Sequence, residues 1–194
     1  WLSDGWQLVQ AEGQEAPLYW IRRDGDHAIY ELAGVRAVDP GETACHLSLY
    51  ESDAIARWLG ARLPTEAEWE HAATSSGKGA TEGNFAGNFA DNFADADRLH
   101  PDRASAAPGE LAQLFGDVWE WTQTSYSAYP GFRPLAGALG EYNGKFMSGQ
   151  CVLRGGSCLT PAGHVRPSYR NFFPPHARWQ MTGVRLAEDG IGDA

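Results

Sequence analysis

One segment near the C-terminus, residues 152–185, constrains the fold more than any other part of the chain. It contains a pair of adjacent glycines, five arginines and three aromatic residues within five positions. Its two ends are apolar and strand-like, and the residues between them show no helical period. We therefore predict a core strand, a glycine break, a long basic and aromatic loop, and a closing core strand. Scaffolds of this kind place functional loops at their surface.

Two helix starts can be read directly from residue spacing. Ser48 precedes Glu51 by three positions, and Thr65 precedes Glu68 in the same way. A Ser or Thr followed by Glu at this offset forms a capping box, which satisfies free backbone N–H groups at the start of a helix. We expect one helix from Ser48 to about Leu59 and a second one after Thr65.

The other predicted elements are short. A helix is expected within residues 1–10, a hairpin within residues 17–32, and a further strand at residues 35–38. Residues 114–129 are rich in apolar and aromatic side chains and are expected to pack beside the segment 152–185. Residues 135–146 contain several glycines and are expected to form a loop.

The composition indicates a single loop-rich domain with an aromatic core. The chain of 194 residues contains 23 Gly and 11 Pro, which favours many turns, and 8 Trp, 7 Tyr and 8 Phe. Aromatic side chains bury a large area each, so a fold with many loops can still form a core. We assign residues 1–189 to this domain and residues 190–194 to a tail. Because the first residue is Trp1 rather than Met, we expect the domain to be truncated at its start and part of a longer polypeptide.

Charge and cysteine content exclude several classes of protein. The net charge of −10 disfavours binding to nucleic acid or to an anionic membrane, and the sequence contains no apolar run of membrane-spanning length and no signal-peptide pattern. Cys45, Cys151 and Cys158 are an odd number without a disulfide-framework spacing. Buried free thiols in the cytoplasm are the favoured interpretation, and a Cys151–Cys158 bridge is the alternative.

The loop at residues 166–178 has the strongest binding chemistry in the sequence. Asn171, Phe172 and Phe173 precede two prolines, which stiffen the backbone and hold the aromatic rings in place. A rigid aromatic wall suits a quaternary ammonium group or a flat heterocycle. Three arginines of the same loop could bind a carboxylate: Arg166, Arg170 and Arg178. Composition alone equally allows an aromatic core with surface arginines.

Candidate proton donors and metal ligands are less well defined. A tyrosine can deliver a proton in a water-poor site, and three candidates are expected to lie near the aromatic wall: Tyr126, Tyr129 and Tyr142. No pair of histidines has the spacing of a metal motif, so a complete metal site within this chain is not expected. Three Asn-Phe-Ala repeats at residues 84–94 form a surface loop or, alternatively, a cation site that uses Asp91 or Asp95.

Four motifs, in order along the chain, carry a family resemblance. They are LPTEAEWE at residues 63–70, GDVWEWT at 116–122, VLRGGS at 152–157 and GVRL at 183–186. Together they resemble the formylglycine-generating-enzyme, or sulfatase-modifying-factor, superfamily, which has an α+β variant of the C-type-lectin-like fold with short helices and small sheets.

Within that superfamily the chain is most similar to the C-terminal domain of ergothioneine-biosynthesis sulfoxide synthases. The similarity lies in residues 46–48, in GEYNGKFM at 140–147 and in RPSYRNFFPP at 166–175. It implies a non-haem iron(II), O2-dependent oxidoreductase that joins the sulfur of cysteine or γ-glutamylcysteine to hercynine. The iron ligands would be histidines of an N-terminal helical domain of the same polypeptide, absent from this chain, so this fragment alone is expected to be inactive.

The resemblance also implies roles for single residues. Phe172 would lie against the trimethylammonium group, and one tyrosine would donate a proton. Some members bind a glutamyl thiol through an Asp and an Arg, where this chain has Phe173 and Ala177, so free cysteine or another donor is favoured. Calcium sites near the Trp-Glu-Trp motif imply two further candidates, Asp117 and Glu120.

Three alternative functions remain open at this point. A selenium-inserting relative has the same architecture. A non-catalytic ligand-binding module can also use this fold. A formylglycine-type oxidase would need a copper-binding cysteine pair, whereas Cys158 has no cysteine partner a few residues further on.

Overall fold

The fold is α+β, as predicted, in a computed structural model that describes residues 1–80, 83–86, 99–105 and 109–190. The helices are α1 (Ser3–Glu12), α2 (Leu49–Trp58), α3 (Glu66–Ser75) and α4 (Ala138–Gly144). The strands are β1 (Trp20–Arg23), β2 (Asp26–Glu31), β3 (Gly34–Ala37), β4 (Trp119–Ser125), β5 (Cys151–Arg154), β6 (Asn171–Phe173) and β7 (Thr182–Gly183).

The smaller sheet contains β1, β2 and β3 in sequence order, and both pairs are antiparallel. The predicted hairpin is confirmed, with its tight turn at Asp24 and Gly25 between the paired residues Arg23 and Asp26. Both turn residues have positive φ, 55° at Asp24 and 95° at Gly25. Asp and Gly tolerate this backbone region better than most residues, which explains the position of the turn.

The larger sheet has the order β6-β5-β4-β7. Strands β4 and β5 are antiparallel, so the segment 114–129 does pack beside the segment 152–185 as expected. Strand β5 ends at the predicted glycine break, where Gly155 has a φ of 99°. A Cβ atom there would lie 2.8 Å from the carbonyl oxygen of Leu114, so a side chain does not fit. The expected closing strand at residues 183–186 is limited to its start, because β7 spans two residues and pairs in parallel with β4.

Two apolar clusters fill the core on either side of β4 and β5. Trp121 and Leu153 pack against α2 and against Leu63, which precedes α3, and both are fully buried. The other cluster is built around Trp69 of α3 and Phe115. Burial of such side chains contributes about 1.5–3 kcal/mol each, so these clusters hold the sheet and the helices in one unit.

Both predicted capping boxes are present and fix the starts of α2 and α3. The Ser48 and Thr65 side chains accept hydrogen bonds from the backbone N–H groups of Glu51 and Glu68, and both glutamates bond back to the cap residue. The backbone N–H of Glu66 also donates to Thr124 Oγ1 at 2.9 Å, which ties the first turn of α3 to β4.

The prediction of a loop at residues 135–146 is wrong, because residues 138–144 form the short helix α4. Gly140 and Gly144 lie within this helix and Gly137 precedes it. Glycine lowers helix propensity by about 1 kcal/mol, which is why the sequence favoured a loop. The contacts of α4 with the rest of the chain outweigh this cost.

The cysteines agree with the thiol prediction, and all three are free. Burial raises the pKa of Cys45 and of Cys158 to about 12, so both remain protonated thiols. None of the described helices is both long and apolar enough to cross a membrane. The second and third Asn-Phe-Ala repeats, with Asp91 and Asp95, and tail residues 191–194 lie outside the described residues.

Candidate functional site

Strand β6 presents the predicted aromatic loop at the edge of the larger sheet. Phe172 pairs with Val152 in β5, and its backbone N–H donates a hydrogen bond to Asn171 Oδ1 at 2.9 Å. Because β5 is buried and central in the sheet, it holds the β6 backbone in a fixed register. Phe172 is only half-buried, so the strand places this ring between the core and the surface.

Four rings form a group that we call the aromatic cluster: Phe172, Tyr126, Tyr142 and Phe146. The Tyr126 and Phe172 rings are stacked, with centroids 3.9 Å apart and planes 11° apart. Phe146 and Tyr142 approach Phe172 at 5.9 Å and 6.3 Å. Tyr142 is 64% exposed, so the cluster opens to solvent on this side. Ring faces at such an opening can attract a cation.

Tyr126 is the buried tyrosine among the three predicted proton donors. Its hydroxyl donates a hydrogen bond to Asn143 Oδ1 at 3.1 Å. Burial raises the pKa of Tyr126, while the positive charge of Arg170 opposes the increase. The phenol therefore stays protonated at neutral pH and remains available as a hydrogen-bond or proton donor.

Arg170 lies between two of the predicted tyrosines. The carbon at the centre of its guanidinium group is 4.7 Å from the ring centroid of Tyr126 and 4.3 Å from that of Tyr129. Its Nε donates to Glu66 Oε1 at 2.6 Å, and one terminal nitrogen donates to Glu66 Oε2 at 2.9 Å. The other terminal nitrogen donates to the carbonyl of Ser127. A substrate carboxylate that bound Arg170 would have to compete with these partners.

Glu66 is the centre of a group that we call the ion-pair cluster: Glu66, Glu70, Arg154 and Arg170. One Arg154 nitrogen donates to both carboxylates at 2.7 Å, and Arg154 is completely buried. Two guanidinium groups thus face two carboxylates, which balances the charge, as buried ions require. The Tyr129 hydroxyl also donates to Glu66 Oε1 at 3.1 Å. Burial, reinforced by the charge of Glu66, raises the pKa of Tyr129.

The remaining predicted binding residues are divided between two regions. Asn171 and Phe173 flank Phe172 in β6, but Phe173 packs against the core and meets Trp179 edge-on at 5.5 Å. Arg178 lies elsewhere, because it donates to Glu51 of α2 at 2.8 Å. Arg166 bonds only Ser168 among the described residues and is exposed, which leaves its guanidinium group the most accessible of the three arginines.

The two calcium candidates are both buried and already hold protein donors. Asp117 Oδ1 accepts hydrogen bonds from the Asn84 side chain at 2.8 Å and from the Asp102 backbone at 2.7 Å. Glu120 accepts from Arg185 at 2.6 and 2.7 Å and from Trp69 Nε1 at 2.5 Å. Binding of a cation at Glu120 would require the loss of these bonds.

One group of side chains among the described residues has metal-ligand geometry: Glu31, Glu42 and His100. Arg36 donates to both carboxylates, at 2.7 and 2.5 Å, and its positive charge is therefore already paired with them. This group also lies beside β2, outside the aromatic cluster. The described residues of this chain therefore do not fit an iron centre held by three histidines.

Sequence reasoning missed three residues that complete the site: Glu66, Asn143 and Phe146. Glu66 lies in the motif at residues 63–70, but its partner Arg170 is 104 positions away. Asn143 and Phe146 lie within GEYNGKFM. Because residues 135–146 were predicted as a loop and not as a helix, their contacts with Tyr126 and Phe172 could not be foreseen. Arg170 of the ion-pair cluster lies over the ring of Tyr126 in the aromatic cluster. The two clusters therefore form one continuous group of rings and charges.

Comparisons with known proteins identify the family of this domain. The family model described as the sulfatase-modifying factor enzyme 1-like domain matches residues 34–190. A hercynine oxygenase from Mycobacterium tuberculosis is 37% identical over 97% of this chain and 46% of its own length. One from Mycolicibacterium thermoresistibile is also 37% identical, over 97% of this chain and 45% of its length. The chain thus spans about half the length of these relatives.

More distant relatives share the fold. A formylglycine-generating enzyme from Streptomyces coelicolor is 30% identical over 88% of this chain and 58% of its own length. The solved structure of PvdO from Pseudomonas aeruginosa matches with a TM-score of 0.59 at 20% identity, over 93% of this chain and 74% of that one. These matches confirm the predicted fold class.

Proposed function

This chain belongs to the sulfatase-modifying factor enzyme 1-like domain family, and we propose that it is the substrate-binding part of an oxygenase that joins sulfur to hercynine. Two of its relatives carry the name hercynine oxygenase, at 37% identity over 97% of this chain. Because those relatives are about twice as long, the activity would belong to a longer polypeptide. The free thiols fit a reducing compartment such as the cytoplasm.

The observation that carries the proposal is the aromatic cluster beside a buried phenol. Hercynine is a trimethylated histidine, so it offers a quaternary ammonium group, a carboxylate and an imidazole. Ring faces attract quaternary ammonium groups with about 0.5–2 kcal/mol. Phe172 has one face on Tyr126 and leaves its remaining surface towards Phe146 and Tyr142. This surface is our candidate for the ammonium site.

The proposed reaction balances with one molecule of O2. The thiol loses its S–H hydrogen and the imidazole loses a C–H hydrogen, and a C–S bond forms between them. One oxygen atom becomes the sulfoxide oxygen, and the other leaves as water. Iron(II) would supply the activation of O2, and its ligands would come from a helical domain outside this chain, because the described residues do not supply them.

Tyr126 is our choice for the proton donor. It stacks on the proposed ammonium site, and its pKa is raised by burial, so its hydroxyl keeps its proton at neutral pH. Tyr129 donates to Glu66, and Tyr142 is largely exposed, so neither combines burial with contact to Phe172 in the same way. A protonated phenol at Tyr126 Oη can pass a proton to the oxygen that is reduced to water.

The sulfur donor would use a separate set of groups. Phe173 and the buried Ala177 stand where glutamyl-thiol binding would use an acid and an arginine, so cysteine is the favoured donor and γ-glutamylcysteine the alternative. Arg166 is the candidate carboxylate clamp, since its guanidinium group is exposed and bonds only the Ser168 hydroxyl among the described residues.

The proposal can be tested with Phe172→Leu in the full polypeptide. Leucine keeps an apolar side chain but removes the ring face, so we expect the KM for hercynine to rise roughly 2- to 30-fold, the range of a lost cation–π contact. The measurement is steady-state O2 consumption with variable hercynine. Trp58→Leu is the matched control, because Trp58 is 84% exposed on α2. An unchanged KM in Phe172→Leu would refute the assigned ammonium site.

A further inference from the structure

Glu66 occupies an unusual position relative to the proposed site. The residue is 5% exposed, and its carboxylate accepts bonds from two arginines and a tyrosine. None of these three partners belongs to the aromatic cluster. Its own backbone N–H is bonded to Thr124 of β4. The backbone of Glu66 is therefore tied to β4, and its carboxylate is held separately by the two arginines and the tyrosine.

Arg170 transmits that fixed position to Tyr126. The bidentate bond to Glu66 sets the plane of the guanidinium group, because both donated bonds lie in that plane. The group then lies between the rings of Tyr126 and Tyr129, at 4.7 and 4.3 Å. The opposite face of Tyr126 rests on Phe172. The order of layers is thus Tyr129, Arg170, Tyr126 and Phe172.

From this layer order we infer that Glu66 is a positioning residue that holds the Tyr126 ring against Phe172 by way of Arg170. The inference rests on the proposed function in one respect, because that proposal makes Tyr126 the proton donor. Without the carboxylate, Arg170 would lose both of its charge-assisted bonds and keep only its bond to the Ser127 carbonyl, so its guanidinium plane would no longer be fixed against the Tyr126 ring. Tyr126 would then lose the support of one face.

The charges around the phenol fit this role. Arg170, directly before β6, and Glu66 of α3 face Tyr126, and so does Tyr142 of α4, while Asn143 of α4 accepts the hydrogen bond of the phenol. Arg170 lowers the pKa of Tyr126 and Glu66 raises it, so the pair together leaves burial as the main cause of the raised value. A fixed pair thus places the ring without adding a net charge next to it.

The test compares Glu66→Gln with Glu68→Gln in the full polypeptide. Both lie in the first turn of α3, but Glu68 is bonded to Arg62 and Thr65, away from the rings. The first measurement is NMR of tyrosine-labelled protein without substrates, with the Tyr126 signal assigned from Tyr126→Phe. A ring stacked on Phe172 has an upfield ring-current shift, and we expect Glu66→Gln alone to reduce it while the Tyr30 signal on β2 stays in place.

The second measurement is turnover. We expect kcat for hercynine to fall about a hundredfold in Glu66→Gln, the cost of a reacting group misplaced by about 1 Å, with a smaller change in KM. An unchanged Tyr126 signal in folded Glu66→Gln protein would overturn the inference. If wild-type protein oxidises no hercynine, the proposed function fails, and the NMR result still decides the role of Glu66.

A second variant covers the case in which Glu66→Gln does not fold. Arg170→Lys keeps the positive charge next to Glu66 but lacks the planar group that lies between the rings. We expect the same loss of the upfield Tyr126 shift, at a smaller cost in stability. A Tyr126 signal at the wild-type position in Arg170→Lys would contradict the inference as directly as it would in Glu66→Gln.

Discussion

Two buried glutamates among the described residues use the same chemistry for different ends. Glu66 and Glu120 are 5% and 3% exposed, and each accepts a bidentate bond from an arginine. The arginine of Glu120 is Arg185, whose Nη2 also donates to the backbone carbonyls of residues 112 and 113. The arginine of Glu66 is Arg170, which instead lies between aromatic rings at the candidate site.

The difference shows that the surroundings of an ion pair decide its role. Arg185 bonds Glu120 and backbone carbonyls, so this pair holds the segment after β7 to β4 and to the segment before β4. Arg170 contacts side chains that reach the surface, so the Glu66 pair can control their positions. Burial and charge alone would have given both pairs the same interpretation.

Trp69 connects these two pairs. Its Nε1 donates to Glu120, and its ring lies 6.0 Å below the guanidinium of Arg154, the second arginine on Glu66. It is one of the largest fully packed side chains, at 2% exposure, and meets Phe115 edge-on. Substitutions at Glu66, Glu120 and Trp69 can therefore test whether the two ion pairs act independently.

The largest effect is expected for Glu120→Gln. It leaves Arg185 without its buried counter-charge, which costs about 3–5 kcal/mol of the free energy of unfolding. For a domain of this size that corresponds to a decrease in Tm of roughly 6–20 °C. Thermal unfolding followed by circular dichroism gives the value. We expect kcat per folded molecule to remain at the wild-type level, in contrast to Glu66→Gln; an equal loss of kcat in both variants would break the comparison.

An intermediate effect is expected for Trp69→Phe. Phenylalanine keeps a ring near Arg154 but removes the Nε1–H group, so Glu120 loses one charge-assisted bond. Such a bond contributes about 1.5–3 kcal/mol, and urea unfolding should show a loss of that order. The NMR signal of Tyr126 serves as the control, because it reports on the Glu66 side. A large shift of that signal would mean that the two pairs are not independent.

The smallest effect is expected for a third, exposed pair, Arg62 with Glu68. Hydrogen bonds from Arg62, and next from the Thr65 backbone, lower the pKa of Glu68 from 4.5 to about 2. Because the folded-state pKa is lowered, the stabilisation is present above pH 4.5 and is lost as the pH falls towards 2. Glu68 is 46% exposed, and solvent screening keeps the effect below about 1 kcal/mol.

This pH dependence can be measured by urea unfolding between pH 5 and about pH 2.5. In Glu68→Gln the decrease in stability over this range should be smaller than in the wild type, since glutamine has no proton to bind. Identical slopes for the two proteins would show that this exposed pair contributes nothing measurable.

Local spacing predicted much of the fold, and long-range contacts account for the errors. The capping boxes at Ser48 and Thr65 and the hairpin turn involve neighbouring residues, so the sequence contains all of their geometry. The Glu66–Arg170 contact joins α3 to the residue directly before β6, and no spacing rule reveals a pair so far apart. Arg170 was therefore predicted as a substrate clamp, a role that no contact in the structure tests.

The helix α4 also shows that long-range contacts limit prediction from the sequence, because here the local signal was present but misleading. Its glycines favour a loop, and the helix is stabilised by contacts that the sequence does not reveal: Asn143 with Tyr126, and Tyr142 and Phe146 with Phe172. Phe172 itself could be assigned to the site from the family motif, although its stacking on Tyr126 could not. Tertiary contacts outweigh helix propensity when several of them act on one short element.

The helix α4 contributes no buried residue to the core. Changes at Tyr142, or at Phe146 just after the helix, would weaken the contacts of α4 with Phe172 but leave the core and the glutamate–arginine support beneath Tyr126 in place. Natural variation or laboratory evolution at α4 and Phe146 would then change which cation the proposed ammonium site accepts and leave the rest of the domain alone.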